Sequence, residues 1–183
     1  MLFPPQPKWH TYDFDGGAAG QWTLYKNTET RATLSFPSRT DHGKAARLDV
    51  NQLVEARDDG KYLVNLRTHH VPRRLGGFET VSLDLRGEGL ESLRIYLRRK
   101  DTERWRSELI PVTSTWKNQT LDLANFVYQE RASTWTDWGP RKWKSMDSVQ
   151  MIQLKVGTGV NSVGANGLVE VDNLVFGQKE TSP

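Results

Sequence analysis

Cysteine is absent from all 183 residues. No disulfide scaffold, Cys-ligated zinc, iron–sulfur cluster or thiol nucleophile can therefore be built. Long apolar runs are missing too. None approaches the roughly 18 residues that a membrane helix needs, so no helical membrane partner is expected. The opening Met1-Leu2-Phe3-Pro4-Pro5-Gln6-Pro7 lacks a basic stretch followed by an apolar core, so it does not read as a signal peptide. The expectation is an excised domain of an extracellular, bacterial-type secreted protein. No segment keeps apolar residues at i, i+3 and i+4 over three turns, which argues against long helices.

Catalytic signatures are equally scarce. His69-His70 is the only histidine pair, and consecutive strand residues point to opposite faces. No metal-ligand histidine spacing, nucleophile elbow or phosphate loop appears. Asp13 and Asp15 share a face, but one carboxylate pair on an open strand is thin support for glycosidase chemistry. The expectation is that the chain is not an enzyme.

What is present is alternation of period two. Val81, Leu83 and Leu85 alternate with polar residues, as do Leu93, Ile95 and Leu97, and Ile152, Leu154 and Val156. Shorter runs fall at 46–50, 62–67, 105–110, 116–123 and 168–176. Glycine-rich punctuation separates them at Asp58-Asp59-Gly60, Leu75-Gly76-Gly77, Arg86-Gly87-Glu88-Gly89 and across 157–167. About ten short strands without helices predict an all-β sandwich of two antiparallel sheets. Its length suits one domain, placed at 10–177, with linker remnants at 1–9 and 178–183.

The net charge is only +3, yet Arg94, Arg98, Arg99, Lys100, Arg104 and Arg106 lie close together. The polar face carrying Arg94, Tyr96, Arg98, Gln153 and Lys155 is a candidate ligand platform, which Asn65, Arg67 and His69 extend if their strand is a neighbour. Guanidinium groups grip carboxylates and sulfates through paired hydrogen bonds, which favours an acidic or sulfated ligand. The bland alternative is a solvated face laced with carboxylate partners. Seven tryptophans form the second signal. Trp135, Trp138 and Trp143 sit in a Pro/Gly-punctuated stretch after Tyr128 and Arg131, where a ring suits stacking on a sugar. Trp105, between Arg104 and Arg106, points either to the core or to the ligand. The candidate ligand set is therefore Arg94, Tyr96, Arg98, Trp105, Tyr128, Trp135, Trp138, Gln153 and Lys155.

Four landmarks follow one another in a recognisable order. They are Tyr12-Asp13-Phe14-Asp15-Gly16-Gly17 with Trp22; Asp41-His42-Gly43-Lys44-Ala45-Ala46-Arg47-Leu48-Asp49-Val50; Thr115-Trp116-Lys117 leading to Leu121, Leu123 and Phe126; and Gly167-Leu168-Val169-Glu170-Val171-Asp172-Asn173-Leu174. The set resembles jelly-roll carbohydrate-binding modules of the galactose-binding-like group: family 11-like modules, the complex I intermediate-associated protein 30 domain and modules on some agarases. The resemblance implies a jelly roll with Trp22 and Trp116 in its core. It also implies a structural calcium held by Asp15 and Asp172, with Asp41 and the Lys44 carbonyl as further ligands, a set of hard oxygens suited to that ion. Val169, Val171 and Leu174 can share the core face only if Asp172-Asn173 forms a β-bulge.

The functional expectation is a monomeric, non-catalytic module that binds a polysaccharide or oligosaccharide and targets an attached catalytic domain. Two alternatives stand beside it: a spacer jelly roll that packs on a catalytic domain without binding sugar, and a β-jelly-roll polysaccharide lyase. Nucleic acid is not an expected partner, because no recognition motif accompanies the basic face.

Overall fold

The computed structural model describes residues 8–40, 43–99, 103–130 and 146–179. In chain order the strands are β1 (Trp9–Tyr12), β2 (Thr23–Lys26), β3 (Arg31–Ser35), β4 (Ser38–Arg39), β5 (Gly43–Lys44), β6 (Ala46–Gln52), β7 (Val64–Thr68) and β8 (Thr80–Glu88). They continue as β9 (Ser92–Arg99), β10 (Glu103–Arg106), β11 (Ile110–Pro111), β12 (Lys117–Asp122), β13 (Val127–Glu130), β14 (Met151–Lys155) and β15 (Gly167–Gly177). Helical structure among the described residues is limited to short 3-10 turns, and no helix there is long and apolar enough to cross a membrane.

Two antiparallel sheets carry the fold. The six-stranded one runs β12-β8-β15-β6-β3, with β1 also on β15; the seven-stranded one runs β13-β10-β9-β14-β7-β2, with β11 on β9. The β-sandwich read from the alternation is the observed architecture. It has more strands than expected, because β4, β5 and β11 are two-residue pairings and β2 and β3 are too polar to announce themselves.

The aliphatic half of each alternation meets the opposite sheet. Leu48, Val81, Leu83, Leu85, Val169, Val171 and Phe176 lie in one buried cluster with Leu66, Ile95, Leu97, Ile152 and Leu154. Burying each such side chain contributes roughly 1.5–3 kcal/mol. Trp22 closes one end of this core, packing edge-on to Tyr12 at 5.4 Å and tilted against Phe14 at 5.4 Å.

Two local features shape the ends of the strands. The β15 register slips between Asp172 and Val175, which is the bulge required by the Val169, Val171, Leu174 pattern. Asn173 takes the left-handed backbone there, at φ 45°, and its N–H is bonded by Asp172 Oδ1 at 2.8 Å; asparagine tolerates that conformation well. At the other end of the sandwich, buried Asn161 pins the 157–167 loop. Its Oδ1 accepts from Glu91 and Ser92 N–H, and its Nδ2 donates to the Ser92 and Val156 carbonyls. All of its amide groups are engaged, and the start of β9 is thereby locked to the end of β14.

Candidate functional site: the outer face of the seven-stranded sheet

Register fixes which side chains share this face. One row crosses Thr23, Arg67, Gln153, Tyr96, Arg106 and Val127. The next crosses Tyr25, Asn65, Lys155 and Arg94, and a third crosses Met151, Arg98, Arg104 and Gln129. Six cations thus occupy one surface, and the strand residues of these rows include no Asp or Glu. Arg94, Tyr96, Arg98, Gln153 and Lys155 come together as the sequence implied, and Asn65 and Arg67 join them from β7.

Tyr96 is the hub. It is buried, it accepts hydrogen bonds from Arg94 and Arg106, and the Lys155 ammonium lies 5.3 Å from its ring centre. Burial alone would raise the Tyr96 phenol, but the Lys155 charge and the two guanidinium bonds bring it below the ordinary tyrosine value. Burial lowers Lys155, and Arg104, Arg94 and Arg98 lower it further despite the opposing phenol. Arg104 falls to about 10, chiefly through burial, with Arg98 and Arg106 adding to it. Burial is the largest influence on Lys155 and Arg104, and the neighbouring guanidinium groups add to it.

Polar groups await a partner on the same face. Asn65 Oδ1, Gln129 Nε2 and Arg94 Nε are buried without a hydrogen bond; Asn65 and Gln129 are 4% and 1% exposed. A buried amide left unbonded costs on the order of 1–3 kcal/mol. At the β2 edge, Tyr25 is 39% exposed and carries the Arg67 guanidinium over its ring at 3.8 Å. Sequence reasoning missed this stacking surface. Its only signal was a short polar strand with one aromatic.

Several expected ligand residues lie elsewhere. Trp105 and Tyr128 face inward, as part of the hydrophobic core, packed against each other at 5.3 Å, with Tyr128 Oη donating to Glu103 Oε1 at 2.7 Å. They are removed from the ligand set because Arg104 and Arg106 take the outward positions of β10. Trp135 and Trp138, like Trp143 and Arg131, fall outside the described residues. Trp116 is not a core residue: it lies on the other sheet's outer face under Arg39 and Arg86. Trp9, on β1, is 65% exposed.

The described residues among those assigned to calcium engage partners within the chain. Asp15 Oδ1 accepts from Lys44 N–H at 2.8 Å, while Asp172 receives Arg39 Nη1 at 2.5 Å and Asn173 N–H. Asp41 falls outside the described residues. No group of three or more His, Cys, Asp or Glu gathers elsewhere among the described residues.

The opposite face shows what paired charge looks like in this molecule. Arg47 bonds Asp49, Arg86 bonds Glu170, and Arg39 bonds Asp172 and Asp84.

No protein-family model matches the chain, and no curated protein matches it. Solved structures do. The family 11 carbohydrate-binding module of the cellulosomal cellulase Lic26A-Cel5E of Clostridium thermocellum is similar with a TM-score of 0.70 at 14% identity, covering 93% of this chain and 95% of that one. The Clostridium thermocellum family 11 module in complex with a β-1,3-1,4-mixed-linked tetrasaccharide gives 0.65 at 15% identity, over 93% and 95%. A family 29 module variant complexed with mannohexaose gives 0.52 at 14% identity, over 92% and 89%. These likenesses establish the carbohydrate-binding-module jelly roll as the fold.

Proposed function

We propose that the chain is a non-catalytic carbohydrate-binding module whose seven-stranded sheet holds an acidic or sulfated polysaccharide on its outer face. It acts as a monomer in a secreted protein and keeps an attached polysaccharide-degrading enzyme on its substrate. The observation that carries this reading is the register of the seven-stranded sheet, whose outward strand rows gather six cations around Tyr96. Buried Asn65, Gln129 and Arg94 atoms there keep hydrogen-bonding capacity to spare.

Similar modules in complex with a mixed-linked tetrasaccharide and with mannohexaose support a saccharide as the ligand, and the cations choose its charge. Guanidinium forks bind sulfate and carboxylate in pairs, Asn65 and Gln129 suit hydroxyls, and Tyr25 offers a ring face. The test is calorimetry of the pure protein against alginate, pectin, a sulfated galactan and neutral glucans. Tight binding to the anionic polymers with weak binding to the neutral ones is expected. Preference for a neutral glucan would overturn the charge assignment, and no binding to any polymer would leave the spacer reading. Release of unsaturated uronate during the titration would make the protein a lyase.

A further inference from the structure

Asp172 on β15 and Asp84 on β8 are direct cross-strand partners. Like charges so placed destabilise a sheet, and Asp172 is completely buried. A cation is needed, and the chain supplies one from its own short hairpin. Arg39, on β4, places Nη1 2.5 Å from Asp172 Oδ2 and 3.4 Å from Asp84 Oδ2. Its guanidinium carbon lies over the Trp116 ring, 3.7 Å from the centroid, a contact that a cation favours.

The other oxygen of each carboxylate is met as well. Asn173 N–H donates to Asp172 Oδ1, Asn118 Nδ2 to Asp84 Oδ1, and Asn173 Nδ2 shares Asp84 Oδ2. Because β4 pairs with β5, the same guanidinium ties that strand pair to the bulge of the closing strand. The resemblance assigned the work of joining those two segments to calcium.

We propose that Arg39 is a built-in cation that replaces structural calcium, so that the fold needs no metal and the Asp84–Asp172 pair becomes a calcium site only when Arg39 is removed. A guanidinium suits the place because its Nη1 reaches both carboxylates while its carbon sits over the indole. Removing it leaves two adjacent carboxylates without a cation; their hard oxygens, with water, suit calcium once the Asn118 and Asn173 amides turn their nitrogens away from Asp84.

The experiment compares wild type, Arg39→Ala and Arg39→Met/Asp172→Asn by thermal melting in EDTA and in rising calcium. Terbium emission excited through the nearby indole reports binding directly. Wild type should melt at one temperature in both conditions and give no terbium signal. Arg39→Ala should melt several degrees lower in EDTA, recover with calcium as a ligand of the native state requires, and light up terbium. Should Arg39→Ala not fold at all, the double variant, which removes both charges of the buried pair, should fold without calcium. Three outcomes overturn the proposal: calcium stabilisation of the wild type, an Arg39→Ala protein that matches wild type in EDTA or ignores calcium and terbium, and a double variant no more stable than an unfolded single one.

Discussion

Arg104 donates its Nε hydrogen to Gln129 Oε1 across neighbouring strands, while Nε2 of the same buried Gln129 has no partner. One end of the amide orients a cation, and a ligand would reach the other only by displacing what encloses it. Gln129→Glu is nearly isosteric and separates these two jobs. The new carboxylate should pair with Arg104, so the melting temperature should hold or rise. Affinity for an anionic polymer should fall at least tenfold, about 1.4 kcal/mol, through the lost donor and the added repulsion. Calorimetry and a thermal melt on one sample decide it; tighter binding would remove Gln129 from the site.

Salt dependence reports on the cationic face as a whole. Surface attraction is screened within about 10 Å at 0.1 M salt, so binding to a polyanion should weaken steadily as salt rises. Arg94→Ala should weaken it further and flatten the salt response. Salt-insensitive binding would point instead to stacking as the main contribution.

Proton linkage gives an independent sign. Burial holds Lys155 and Arg104 below their ordinary values, Arg104 at about 10. A docked anion favours the charged forms and raises both, so binding near pH 10 should take up protons. Affinity should decline as the pH climbs through about 10, where the free face loses charge. Ionisation of Tyr96, already lowered by Lys155, Arg94 and Arg106 against its burial, acts in the same direction, and Tyr96→Phe should reduce the uptake. Titrations in two buffers of different ionisation enthalpy measure it. Proton release would contradict the assignment.

Two aromatic residues should behave oppositely. Trp105 is wholly inside, so Trp105→Ala should destabilise by roughly 3–5 kcal/mol, read by chemical denaturation. Tyr25→Ala should leave stability within about 0.5 kcal/mol, as exposed substitutions usually do, while weakening saccharide binding. A folded Trp105→Ala protein that had lost only its affinity would return that indole to the ligand site.

The strands at 80–88, 92–99 and 151–155 were legible because a two-residue period leaves one choice of buried face, and that choice delivered Arg94, Tyr96, Arg98, Gln153 and Lys155 together. The bulge was legible for the same reason: its pattern breaks once, at Asp172-Asn173. The Arg104-Trp105-Arg106 alternation already separated the indole from the arginines, but which of the two faced inward depended on the partner strands. Tyr25 stayed hidden because Thr23–Lys26 holds its place through the backbone ladder with β7 rather than through an apolar pattern. Arg39 left no local trace at all, since its carboxylates lie 45 and 133 residues away along the chain.

The pairing of β1 with β15 has a mechanical consequence. Trp9 stands opposite Gly177, and Gln178 N–H bonds the Lys8 carbonyl at 3.1 Å, so the two ends of the described chain leave side by side. Tension applied between them loads this ladder one rung at a time, from Trp9 inward, as a zip opens, rather than shearing all its bonds together. Strand β1 should peel away at low force in single-molecule pulling. Its loss would strip Tyr12 from Trp22 and open the end of the core before either sheet is strained.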